Sequence, residues 1–127
     1  MEYLLIDFDK DKNSFVSIEG EEPSLMMEKE DAYEYYLHKS RKFVVKLFNG
    51  WVGREEKIGK IVDIAGNMIS IIPNPGSSHG EFSIGGLVAG NEDSFKFVVI
   101  PQGNSQEYYL KYIISEGVFE EAGLQVR

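Results

Sequence analysis

Cysteine is absent from the 127-residue chain, and that one gap removes disulfide scaffolds, thiolate zinc sites and cysteine nucleophiles. It fits a reducing compartment. Histidine is almost missing as well: His38 and His79 are the only two, and their spacing matches no zinc motif. No apolar run approaches the length that spans a bilayer. The opening Met-Glu-Tyr-Leu-Leu-Ile-Asp lacks the basic flank and long apolar stretch of a secretory leader. The expectation is a cytoplasmic protein with no membrane contact, no metal and no cofactor. Basic residues are also scarce, with 13 Lys and Arg against 21 Asp and Glu and a net charge of −8. That balance opposes non-specific nucleic-acid binding, which depends on neutralising phosphates.

What the chain does hold is apolar and aromatic. Seven tyrosines and eight phenylalanines supply enough buriable surface for one folded domain, residues 1–127, with no internal repeat or linker. The charge is unevenly spread: residues 1–39 sum to −7, residues 40–66 to +3 and residues 67–127 to −4.

Short β-branched and aromatic runs dominate, broken by turn residues. Glu2 to Phe8 and Phe15 to Ile18 flank Asp9-Lys-Asp-Lys-Asn13 and read as a hairpin. Lys42 to Phe48 reads as a half-buried strand turning at Asn49-Gly50, the strongest short hairpin signal. Ile58 to Ile64 and Met68 to Ile72 follow, separated by Gly66-Asn67 and ended by Pro73. Ser94 to Ile100 is apolar on both faces and therefore central. Gln106 to Ser115 reads as strand or helix, with its aromatic and β-branched content favouring strand, and Val118 to Val126 as a terminal helix or an edge strand.

One segment breaks the β pattern. Leu25, Met26, Lys29, Ala32, Tyr33, Tyr36 and Leu37 fall mostly on one helical face, with acids early and Lys39, Arg41 and Lys42 at the end. This spacing predicts a helix over about 23–38. The expected fold is then α+β and mostly antiparallel: a twisted sheet or partly open small barrel of about six to eight strands with one helix.

Three motifs carry possible chemistry. Asp9, Asp11 and Asn13 place oxygen ligands at alternate positions, as a calcium loop does. Ser14 stands where that loop needs glycine and Gly20 where it needs glutamate, so a plain acidic turn is expected. Asp7-Phe-Asp9 resembles the strand-end Asp-x-Asp of haloacid-dehalogenase-like phosphatases, where the first aspartate attacks phosphorus. The likeness stops after two residues, and the chain is too short for that fold. Gly76-Ser77-Ser78-His79-Gly80 satisfies Gly-x-Ser-x-Gly, but prolines precede it and a glycine-rich segment follows, where a nucleophile elbow needs strand and then helix.

The functional expectation is a non-enzymatic, acidic protein that binds another protein, of the accessory, inhibitor or immunity type, and that can self-associate. Helical phase puts Tyr35 off the core stripe among Glu28, Asp31 and Glu34, and aromatics so placed are common in interfaces. An alternative is a nucleic-acid or nucleotide-binding small barrel using Lys46, Trp51, Arg54 and Lys57. A second alternative is a hydrolase centred on Ser78 and His79 in the 76–80 loop, with an acid from elsewhere in the fold.

Overall fold

The computed structural model describes residues 2–17, 19–20, 22–103 and 105–124. Eleven strands and one 3₁₀ turn make up its regular structure. In order these are β1 (Tyr3–Asp9), β2 (Ser14–Ser17), β3 (Tyr33–His38), β4 (Phe43–Phe48), β5 (Trp51–Val52), β6 (Gly59–Asp63) and β7 (Met68–Ile72). The 3₁₀ turn Ser77–His79 follows, and then β8 (Phe82–Gly90), β9 (Ser94–Pro101), β10 (Tyr108–Ile113) and β11 (Val118–Leu124). Two antiparallel sheets result, ordered β2-β1-β3-β4-β6-β7 and β11-β10-β9-β8-β5.

The expected α+β fold is therefore corrected. The described residues contain no α-helix, and the strands form two sheets rather than a barrel. Residues 33–38, expected as the end of the helix, form β3 instead, paired with β1 through Ile6↔Tyr35 and with β4 through Tyr36↔Val45. Their composition explains the outcome. Tyr-Glu-Tyr-Tyr-Leu-His is aromatic-rich, suits a pleated surface better than a helix, and is buried from Tyr35 onward. His38, expected at a helix end, is buried in β3, where its ring stacks on Phe43 and bonds Glu2 and Ser40 at 2.9 Å each.

The turn at Asn49-Gly50 is a second correction. β4 and β5 do not pair as a hairpin; the chain crosses here from the first sheet to the second, where Val52 lies opposite Phe82. β6 then returns to pair with β4. A Cβ on Gly59 would lie 2.0 Å from the Lys46 carbonyl oxygen, so only glycine allows these two strands to meet there. The β1–β2 and β6–β7 hairpins follow the sequence reading, and glycines 85 and 86 sit where β8 slips register against β9.

Side-chain alternation divides the apolar residues into two cores. Tyr36, Val45, Leu47 and Ile61 of the first sheet face Phe82, Phe95, Phe97, Val99 and Leu110 of the second. Each fully buried large side chain here contributes about 1.5–3 kcal/mol relative to exposure. On the other face of the first sheet, Ile6, Phe15, Tyr35, Leu37, Val44 and Val62 form the second core. Residues 22–32 cover that face as an irregular strap, with Leu25 and Met27 packed into the core. The Met26 N–H donates to the Ile64 carbonyl at 2.9 Å, and the Asn49 N–H donates to the Ala32 carbonyl at 2.7 Å. The strap occupies the layer expected for the helix but takes its hydrogen bonds from the sheet beneath.

Candidate functional site

Strand phase, not helical phase, decides where the expected partner-binding residues stand. Tyr35 is fully buried, against Phe15, and its hydroxyl accepts the Glu30 N–H at 2.7 Å. The expectation of an exposed Tyr35 is overturned: its side chain falls on the same face as Leu37 and Val44. Glu28, Asp31 and Glu34 are exposed as expected. Glu34 also accepts the Tyr36 hydroxyl at 2.7 Å, and that oxygen in turn receives the Leu87 N–H at 3.4 Å from the second sheet. Burial, with the Glu34 carboxylate second, raises the Tyr36 phenol well above its ordinary range.

The expected basic set is not one surface. Lys46 is only 5% exposed, lying beneath the strap, ion-paired to Glu30 and set over the rings of Tyr33 and Tyr35. It cannot reach a phosphate there, so its nucleic-acid assignment is corrected. Trp51, Arg54 and Lys57 are exposed, but Trp51 belongs to the second sheet, whereas Lys46 lies on the outer face of the first. The Arg54 guanidinium donates to the Ser77 carbonyl at 3.5 Å.

The acidic turn reads as expected. Asp9 Oδ1 accepts the N–H groups of Asp11 and Lys12, and Asn13 adopts a left-handed φ of 54°. Asp7 is bound by Lys29 rather than aimed at a phosphorus site, and that hydrogen bond holds its carboxyl below the usual range. Among the described residues no three His, Asp or Glu side chains are grouped to hold a metal, and no helix is long and apolar enough to cross a membrane.

The 76–80 loop lies against a cleft of about 510 Å³ at one end of the second sheet. Ser78 and His79 line it together with Tyr108, Tyr109, Glu121, Gly123 and Leu124. His79 stacks on the Tyr108 ring, and its Nδ1 is hydrogen-bonded to the Tyr108 hydroxyl at 2.6 Å. Burial and then the Glu121 charge raise the Tyr108 phenol. Among the described residues no hydrogen bond joins Ser78 to His79. The loop does meet a carboxylate, Glu121, in the cleft.

The free edge of the first sheet escaped the sequence reading. β7 is the last strand of that sheet, and Met68, Ile69 and Ile71 are 54%, 57% and 39% exposed. The five uncharged residues Met68–Ile72 carry no local signal that marks an edge. Tyr108, Tyr109 and Glu121 also went unflagged as site residues, because they meet the 76–80 loop only through the topology of the second sheet.

No family model, curated protein or solved structure matches this chain.

Proposed function

We propose that the protein is a non-enzymatic binding module whose ligand is another protein, and that the partner adds an extended segment to the free edge of β7. The supporting observation is how that edge contrasts with the others. Natural sheets protect their edges with short strands, charges or bulges, because a row of free N–H and C=O groups pairs readily with other chains. β2 is four residues long and β5 two. β11 carries Glu120 and Glu121 and a register shift opposite β10. β7 also shifts register, between Ile61 and Val62 of its neighbour, but it is longer than β2 and β5 and, unlike β11, has no charge in the strand; Met68, Ile69 and Ile71 stand exposed along this edge.

Strand addition takes affinity from backbone hydrogen bonds and specificity from alternate side chains. On β7 the alternate pair is Ile69 and Ile71, which share the outer face with Lys60, the residue opposite Ile71. The exposed acids Glu28, Asp31 and Glu34 and the net charge of −8 favour a partner with a basic surface.

The test is affinity capture by wild-type protein and by the I69K/I71K double variant, with Tm measured on both. Both positions are exposed, so Tm should change little, while a partner held by the wild type should be lost from the variant. Equal retention of the same partners by both proteins would remove β7 as the binding edge.

A further inference from the structure

The cleft beside the 76–80 loop has a chemistry of its own, independent of β7. Its lining holds one carboxylate, Glu121, with the hydroxyls of Ser78, Tyr108 and Tyr109, the His79 imidazole and the apolar Leu124. None of its lining residues is a lysine or arginine. The only charged side chain in the lining is therefore Glu121, which disfavours an anion there. A cation with several N–H donors meets the opposite situation: a carboxylate, neutral oxygen acceptors and aromatic rings.

We propose that this cleft binds a primary alkylammonium group, with its charge at Glu121 and its alkyl stem along Leu124 and the tyrosine rings.

Three observations support this ligand class. The volume of about 510 Å³ falls within the usual range for small-ligand sites, about 300–1,000 Å³. The fold already places an ammonium on one of these rings, since Lys96 Nζ stands 4.8 Å from the Tyr109 centroid. Glu121 lies near enough to Tyr108 for its charge, after burial, to raise that phenol. The His79–Tyr108 bond fixes the imidazole against the cleft wall. The register shift opposite Tyr108, with Gly123 at φ 106°, bends β11 around the other side.

An alkylammonium can come from a free amine or from a lysine side chain in a peptide. Butylamine and N-acetyl-lysine amide separate these two sources, and butanol and butyrate serve as neutral and anionic counterparts. The readout is the NMR signals of the His79 and Tyr108 rings in wild-type protein and in Glu121→Gln. Saturable shifts with one or both amines, absent with butyrate and strongly reduced in Glu121→Gln, are expected. Binding of both amines assigns recognition to the head group, and binding of the lysine amide alone assigns it to a peptide. No saturable shift with either amine, equal shifts with butanol, or undiminished binding in Glu121→Gln would overturn the proposal. Glu121 is exposed, and unchanged signals elsewhere would confirm that the variant is folded.

Discussion

Lys46 brings a positive charge into a layer with little water, and a buried ammonium is costly unless its protons find partners. Glu30 from the strap supplies the carboxylate, and the rings of Tyr33 and Tyr35 supply negative π-faces at 4.7 and 5.2 Å. Tyr35 completes the group by accepting the Glu30 N–H, so one residue holds the strap by backbone and side chain together. Truncating Tyr35 to alanine empties a fully buried site and should cost about 3–5 kcal/mol. Tyr35→Phe keeps the ring and loses one hydrogen bond, about 1 kcal/mol. Urea unfolding of the two variants measures the difference; equal losses would mean that the ring contributes little. At this scale the sequence misled for a definite reason. Tyr35 lies off the stripe at 3.6-residue spacing but aligns with Leu37 at two-residue spacing, and only the second period matches the backbone.

Residues 22–32 show that a layer can be built without regular structure, provided its polar backbone groups find partners. The Ile64 carbonyl, the Tyr35 hydroxyl and the Asn49 N–H serve that purpose. Two ion pairs, Lys46–Glu30 and Lys29–Asp7, add charge contacts. Hydrogen bonds from these lysines hold both carboxyls below their ordinary values. A depressed folded-state pKa gives stability that is complete above the unfolded value, about 4 for carboxylates, and is lost as pH falls through the folded value. The strap should therefore loosen in acid below the ordinary carboxylate range before the sheets separate. Glu30→Gln should loosen it at neutral pH, at a cost of about 1–2 kcal/mol, less than for a fully buried pair because Glu30 is half exposed. NMR shifts of the Glu30 amide and Tyr35 ring followed against pH test both statements; strap signals that move only with global unfolding would refute them.

The elements themselves were unequally legible. β1, β2, β6, β7, β9 and β10 carry local turn and alternation signals, and the sequence places them correctly. β3 was hidden because its preceding strap and its own residues together mimic a helical stripe. β5 was hidden because two residues leave no period to read. Of the candidate sites, the 76–80 loop was visible from composition. Its cleft was not, since Glu121 is more than forty positions away and arrives only through sheet order.

For the whole molecule, charge and layering act in concert. The net charge of −8 surrounds a structure whose one buried lysine among the described residues, Lys46, is paired inside it with Glu30. That pairing removes one acid and one base together, so the outward field is set by the acids that remain exposed, Glu28, Asp31 and Glu34 among them. Steering of this kind raises association rates and is screened over about 8–10 Å at physiological salt. Association with the β7 partner should therefore slow as salt rises, whereas dissociation, governed by strand pairing and the isoleucines, should change little. Surface plasmon resonance across a salt series separates the two rates, and an association rate indifferent to salt would exclude electrostatic steering.

The close approach at Gly59 also has a meaning for descent. A side chain there would strike the backbone of β4, not a movable neighbour, so no compensating change in another side chain can make room for it. The surface loops of this protein can drift between lineages, and its apolar cores can exchange one hydrophobic residue for another of similar volume. Position 59 has no such path. The glycine that opens β6, downstream of the Asn49-Gly50 crossing and of β5, is the mark by which distant kin could be known.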